Sequence, residues 1–118
     1  MTDMQYVELA KRTLSTDKDK LGHFTVGIVT EAAELLDAYK KTNWYDRYLD
    51  TTNVKEEIGD LCWYLYQLCD LIGYSLEQAK IDNIEKLKKR YPDGFKDVLV
   101  RDADKELDHI GQTYMELQ

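Results

Sequence analysis

Proline and glycine are scarce in this sequence, which has one proline and six glycines among 118 residues. Because these two residue types interrupt helices most strongly, their scarcity leaves room for long helices. β-Branched residues are also sparse and scattered, which argues against a sheet. Hydrophobic residues make up 43% of the chain, so its composition is not that of a disordered protein. These features predict one all-α domain spanning residues 1–118.

The chain also lacks an excess of basic residues, since its formal net charge is −7. Nucleic-acid backbones are bound by clustered Lys and Arg side chains, so we expect no nucleic-acid partner. An acidic chain can still bind a phosphorylated small molecule, because a bound divalent cation reverses the sign of the local field.

No uncharged run is long enough to cross a membrane. The longest one in the apolar central region is Leu61–Cys69, about half of what a membrane-spanning helix needs. The first eleven residues carry three charged side chains, unlike a secretory signal. Cys62 and Cys69 lie seven positions apart on one predicted helix, which is too far for a disulfide between them. Unbonded cysteines are typical of proteins in a reducing compartment. We therefore expect a cytoplasmic protein with no membrane partner.

Apolar residues recur at helical spacing in five segments. We predict helices over about 3–14, 21–41, 53–73, 75–90 and 101–115. Asn53 with Glu56 and Ser75 with Gln78 resemble capping boxes at two of these starts. Short connections between amphipathic helices indicate an antiparallel bundle. Apolar side chains on several helix faces predict oligomerisation through those faces, as a homodimer or as a tetramer built from dimers.

Two pairs of carboxylates share the same helical spacing. Glu31 and Glu34 are separated by three positions, and so are Glu57 and Asp60, so each pair projects from one helix face. If the two helices pack antiparallel, the four carboxylates converge and repel one another. Protons or a hard cation would relieve this repulsion, and Mg²⁺ or Mn²⁺ prefers carboxylate oxygen. The alternative is that these acids are solvated side chains, as single pairs of this kind usually are.

The sequence has too few histidines for the iron or zinc sites that use them as ligands. A di-iron bundle requires repeated Glu-x-x-His pairs, and among the two histidines only His109, three positions after Glu106, has that spacing. No cluster of Cys or His side chains fits zinc. The all-carboxylate set therefore favours magnesium and phosphate chemistry.

Three blocks of this sequence resemble those of a known enzyme family. They are EAAELLDAYKK at 31–41, EEIGDLCWYL at 56–65 and NIEKLKKRYPDGF at 83–95. In this order they resemble the MazG-like nucleoside triphosphate pyrophosphohydrolases. These enzymes belong to the all-α NTP pyrophosphatase superfamily, which also includes dimeric dUTPases and dCTP pyrophosphatases. The family pattern is E-E-x-x-E, a spacer, then E-x-x-D. The resemblance covers about residues 20–100, and 22 residues separate Glu34 from Glu57.

The resemblance implies Mg²⁺- or Mn²⁺-dependent hydrolysis of a ribo- or deoxynucleoside triphosphate to the monophosphate and pyrophosphate. The metal ligands and catalytic residues would be Glu31, Glu34, Glu57 and Asp60. The bound metal would carry the phosphates and lower the pKa of a water that attacks the α-phosphorus.

Thr30 departs from the family pattern, because it stands where the family often has an acid. The general base is therefore open, with Glu56 as a candidate. For the same reason, the alternative function is a non-catalytic helical module that binds a nucleotide or a protein.

Three polar side chains of the fourth helix are candidates for binding the phosphates. Asn83, Lys86 and Arg90 fall at positions i, i+3 and i+7, so they form one stripe, and they match the third family block. An amide, an ammonium and a guanidinium suit phosphate oxygens. The alternative is a solvated basic run that balances the carboxyl end of the helix.

Aromatic residues are candidates for contacts with the rest of the substrate. Tyr64 follows the second acidic pair by one helical turn on the same face, and His23 lies two turns before the first pair. Trp44, in the aromatic stretch 42–53, could stack on a nucleobase. For all three, structural packing is the alternative. We assign Trp63 and Tyr66 to the core or to an interface.

Overall fold

The structure is a computed structural model that describes residues 1–45 and 48–94. Within these ranges it contains helices and no strand, which confirms the all-α prediction. The elements are α1 (Asp3–Ala10), a 3-10 turn (Lys11–Thr13), α2 (Lys20–Trp44), α3 (Thr51–Leu71) and α4 (Leu76–Arg90). The first helix is shorter than predicted, because the 3-10 turn replaces its last turn. The fifth helix, predicted over 101–115, lies outside the described residues.

Side-chain caps determine where the first three helices begin. A capping box at Thr2 starts α1. The Asp19 carboxylate accepts a hydrogen bond from the Gly22 N–H at 2.9 Å and starts α2. The Asp50 carboxylate accepts one from the Asn53 N–H at 3.1 Å and starts α3. Each cap satisfies a backbone donor that has no partner within the first helical turn.

The boundary between α2 and α3 differs from the prediction. The expected capping box of Asn53 and Glu56 is wrong, because Asp50 caps the helix and α3 begins at Thr51. An aspartate is at least as good a cap as an asparagine, so the earlier residue takes this position. α2 also continues to Trp44, beyond its predicted end. The connection between α2 and α3 is therefore shorter than the predicted irregular stretch 42–53.

α2 and α3 pack side by side in antiparallel orientation. The early residue Gly27 of α2 lies against the ring of Tyr64, which is late in α3. Further along α2, Glu31 meets Glu57, which is early in α3. Residue numbers thus rise along one helix and fall along its neighbour. Gly27 permits this close approach, since a side chain at this position would overlap the Tyr64 ring.

Few apolar side chains are buried in the described part of the chain, namely Ala10, Phe24 and Ala38. α3 instead buries two polar side chains, Glu57 at 8% exposed and Gln67 at 2%. Part of the apolar surface stays in solvent, at Ile58 and Leu65 of α3 and at Ile72 directly after it. The face of α3 that turns toward α2 is therefore the face that carries acid, and part of its apolar surface is left outside.

α1 and the residue that follows it contact α3 through hydrogen bonds, a ring contact and an ion pair. The Tyr66 hydroxyl donates to Asp3 Oδ1 at 2.8 Å, and the rings of Tyr6 and Tyr66 lie 4.7 Å apart. Lys11 Nζ lies 3.3 Å from Asp70 Oδ2. The hydrogen bond to Asp3, together with burial, raises the pKa of Tyr66 to about 12. These contacts dock the N-terminal segment on α3.

The helices fall into two units, Met1–Leu76 and Glu77–Gln118. The first contains α1, α2 and α3, and the second contains α4 after its first residue. One domain over residues 1–118 stays a prediction. No helix in the described ranges has both the length and the apolar character that crossing a bilayer requires.

Replacing Gly27 tests the close packing of α2 on α3. We expect Gly27→Ala to lower the free energy of unfolding by about 1–3 kcal/mol, because the added methyl must displace the Tyr64 ring. Chemical denaturation measures the change. The matched control is Gly59→Ala, since a Cβ at Gly59 has no neighbour within 4 Å among the described residues. We expect the control to stabilise α3 by about 1 kcal/mol. Equal stability of Gly27→Ala and wild type would contradict this packing.

Candidate metal centre and adjoining groove

Three carboxylates converge between α2 and α3. Glu31 projects from α2, and Glu57 and Asp60 project from α3, where their spacing of three places both on one face. One oxygen from each lies within 4.8 Å of the others. Glu57 is buried, Glu31 is half-buried and Asp60 is exposed, so the cluster opens toward solvent on the side of Asp60.

Glu57 is the most constrained member of this cluster. Its hydrogen bond with Glu31, its burial and the charges of Glu31 and Asp60 raise its pKa from the ordinary value of 4.5 to about 7. A hydrogen bond between two carboxyl groups requires a proton on one of them. The Oε2 atom of Glu57 is nonetheless buried without a hydrogen-bond partner in the described structure. Since buried polar atoms are normally paired, this atom indicates a missing partner.

The donor set fits a hard divalent cation. All three groups offer carboxylate oxygen, which Mg²⁺ and Mn²⁺ prefer, and neither sulfur nor imidazole belongs to the cluster. A cation would neutralise the repulsion that raises the pKa of Glu57. It would also give the buried Oε2 atom a partner.

The other predicted acids lie elsewhere on the same helices. Glu34 is exposed and lines a separate polar depression with Asp37 and Lys41, so the structure does not bring it to the three-carboxylate cluster. Its role as a ligand stays a prediction. Glu56 is exposed and outside the cluster as well. The Thr30 hydroxyl donates to the Gly27 carbonyl at 3.0 Å within α2.

Two adjoining depressions next to the cluster share His23 and Tyr64 as lining residues, and we call them together the groove. The half beside the acids, the acid half, is lined by Thr13, His23, Glu31, Asp60, Trp63 and Tyr64. The other half, the far half, is lined by Asp17, Asp19, Gly22, His23, Val26, Gly27, Thr30 and Tyr64. The structure therefore brings His23 and Tyr64 together with Glu31 and Asp60.

Aromatic rings build one side of the groove. The ring centroids of Trp63 and Tyr64 lie 5.0 Å apart, edge to face, and that of His23 lies 5.8 Å from Tyr64. Phe24 lies behind them, buried and 6.1 Å from Trp63. Sequence reasoning missed Trp63, which it assigned to the core or an interface. No local signal could have found it, because its partner Thr13 is 50 residues away.

Of the remaining substrate-binding candidates, Trp44 does not line the groove, and the other three belong to the second unit. Trp44 is 66% exposed at the end of α2, with its ring edge-to-face against Tyr39 at 5.9 Å. It is 13 residues beyond Glu31, or roughly 20 Å along the helix axis. Asn83, Lys86 and Arg90 lie on α4, in the second unit. The roles proposed for these four residues stay predictions from the sequence.

Comparison with known proteins identifies the family. The family model described as "MazG nucleotide pyrophosphohydrolase domain" matches residues 23–95, which is more than half of the chain. No curated protein and no solved structure matches the chain. The matched region contains the three carboxylates and the aromatic residues of the groove. This chain belongs to the MazG nucleotide pyrophosphohydrolase family.

Proposed function

We propose that this chain hydrolyses a nucleoside triphosphate to the monophosphate and pyrophosphate with the help of Mg²⁺ or Mn²⁺. One observation carries the proposal: a buried carboxylate oxygen of Glu57 lacks a partner at the centre of three converging carboxylates. The cluster borders an aromatic groove, and the chain belongs to a family named for nucleotide pyrophosphohydrolysis.

Glu31, Glu57 and Asp60 would hold the cation, and Glu34 is proposed as a further ligand on its spacing in the family pattern. When bound, the cation would neutralise phosphate charge and lower the pKa of a coordinated water. Glu31 and Asp60 line the acid half of the groove, so the triphosphate would lie there. His23 and Tyr64, which line both halves, would hold the nucleoside next to it.

Turnover tests this proposal. We expect the wild-type protein to release pyrophosphate, and not orthophosphate, from a member of a panel of canonical and modified NTPs and dNTPs. Release should require Mg²⁺ or Mn²⁺ and stop with a chelator. Glu57→Gln should lower turnover by at least about a hundredfold, the loss expected when one charge-stabilising group is removed. Circular dichroism should show an intact fold, since the amide has the shape of the carboxylate.

The control is Glu77→Gln, which removes the charge of an exposed glutamate outside the cluster and should leave turnover unchanged. Full activity of Glu57→Gln or Asp60→Asn would contradict the site assignment. Full activity of Glu34→Gln would remove only Glu34 from the ligand set.

A second candidate is a module that binds nucleotides without hydrolysing them. Thr30 favours it, because its hydroxyl donates to the Gly27 carbonyl and supplies no carboxylate base. Metal-dependent nucleotide binding with no pyrophosphate release across the panel would support this candidate. Restored release in Thr30→Glu would identify the missing acid as the cause.

The raised pKa of Glu57 predicts how the stability of the metal-free protein depends on pH. A carboxyl whose pKa is raised on folding contributes stability that is fully present below about pH 4.5 and lost as pH rises through about 7. In the presence of a chelator, the urea concentration at the unfolding midpoint should therefore decrease as the pH rises from 5 to 8. Glu57→Gln should reduce this fall. Mg²⁺ should raise the midpoint most at pH 8, because ligand carboxylates must be deprotonated. Identical pH profiles for wild type and Glu57→Gln would contradict this electrostatic description.

We also propose that a second copy of this chain covers an apolar stripe of α2. The stripe consists of three apolar residues at helical spacing that are each more than 60% exposed, namely Val26, Val29 and Leu36. Few apolar side chains are buried in the described part of the chain, so this exposed stripe is a candidate interface. A homodimer, or a tetramer built from dimers, would bury this stripe.

Light scattering after size exclusion should give a dimeric or tetrameric mass. Val29→Asp should lower that mass or weaken the assembly by placing a charge in the interface. Thr52→Asp, which adds the same charge at an exposed position of α3, is the control. A monomer at every concentration of the wild type would contradict this proposal.

A further inference from the structure

One wall of the groove comes from residues that precede the family match. The matched region begins at residue 23. Thr13 nevertheless lines the acid half of the groove, and Asp17, Asp19 and Gly22 line the far half. The segment Lys11–Gly22 therefore borders the groove in both halves. We call it the N-terminal wall.

Thr13 fixes the position of an aromatic ring in the groove. The Trp63 indole N–H lies 3.1 Å from Thr13 Oγ1 and 3.2 Å from the Ala10 carbonyl, and it donates to both. The Thr13 hydroxyl itself donates to the Ala10 carbonyl at 3.0 Å. The three groups form a closed set in which every donor has an acceptor. Trp63 is thus held by the N-terminal wall and not only by packing within α3.

The position of Trp63 in turn affects the two side chains shared by both halves of the groove. Its ring lies 5.0 Å from that of Tyr64 and 6.2 Å from that of His23. Tyr64 is also confined on its other side by Gly27. A movement of the indole would therefore change the shape of the groove where its halves join.

Charge determines which part of a nucleotide suits the far half. Asp17 and Asp19 line it, and no Lys or Arg does among the described residues. Two carboxylates without a cation repel phosphate oxygens. Asp17 Oδ1 accepts from the Asp19 N–H and Asp19 Oδ1 accepts from the Gly22 N–H. Each carboxylate therefore retains acceptor capacity, which suits the amino or hydroxyl groups of a nucleoside.

We propose that the N-terminal wall forms the nucleoside-binding side of the groove and selects nucleosides that present hydrogen-bond donors to Asp17 and Asp19. Thr13 is a positioning residue in this wall, and it acts through Trp63. The inference rests on the proposed function, because the triphosphate occupies the acid half. It goes beyond that function by assigning substrate selection to residues outside the family match.

The first experiment compares Thr13→Val, which keeps the shape and loses the hydroxyl, with Thr13→Ser, which keeps the hydroxyl. Both are made in a Trp44→Phe background, which leaves Trp63 as the only tryptophan. We expect Thr13→Val to raise KM by about three- to tenfold, the effect of one lost hydrogen bond, and to change kcat less than about twofold. Its Trp63 emission should shift, while the thermal shift with Mn²⁺ alone should not change. Thr13→Ser should behave as its parent does.

The second experiment uses Asp17→Asn, which keeps an oxygen for the Asp19 N–H and removes the charge. Across the nucleotide panel, we expect the ratio of kcat/KM between the best and the other substrates to change by more than about threefold. The thermal shift with Mn²⁺ should again be unaltered.

Each outcome separates this inference from the proposed function. Pyrophosphate release with unchanged KM and unchanged Trp63 emission in Thr13→Val would overturn the inference alone. So would loss of the Mn²⁺ thermal shift in that variant, because Thr13 would then act on the metal centre. Nucleotide binding that depends on Thr13 but proceeds without hydrolysis would support the wall and contradict the hydrolytic function. If the wild-type chain binds and hydrolyses no nucleotide in the panel, both are overturned.

Discussion

Repulsion among three carboxylates held between two helices is the constraint on which the rest of the site depends. Like charges at this distance are tolerated only if a proton or a cation stands between them. Metal-free Glu57 shows the proton solution, because its pKa rises to about 7 while one of its oxygens stays unpaired. In the proposed function, a cation would take the place of this proton and would stabilise α2 against α3.

The same constraint explains the unusual distribution of apolar residues. α3 buries the carboxylate of Glu57 and the amide of Gln67, whereas part of its apolar surface and a stripe of α2 remain exposed. Phe24 is the one large apolar side chain that is fully buried in the described part of the chain. Such a small core suits a chain that completes its packing against another copy. The metal centre and the assembly would then both follow from the face of α3 that packs against α2.

In the proposed function, the N-terminal segment would connect the metal centre to substrate selection. Its contacts with α3 are mostly polar: the hydroxyl of Tyr66 on Asp3, the ion pair of Lys11 and the indole N–H of Trp63. Directional contacts of this kind fix side-chain orientation more closely than apolar packing does. If the proposal is correct, the acidic site of a family domain could be kept while a preceding segment changed which nucleoside fits next to it.

Four of the helices, the spacing of the acidic pairs and the family could be predicted from local patterns in the sequence. Helical periodicity and scarce Pro and Gly are local signals, and a spacing of three puts Glu57 and Asp60 on one face whatever surrounds them. That Glu31 joins them, whereas Glu34 does not come within the same distance, could not be predicted, because it depends on how α2 is rotated against α3. The tertiary structure also decided that Trp63 lines the groove, since the atoms that hold its indole lie about 50 residues earlier in the chain. Local spacing fixes the face of a helix, but the partner of that face is chosen by packing over long sequence separations.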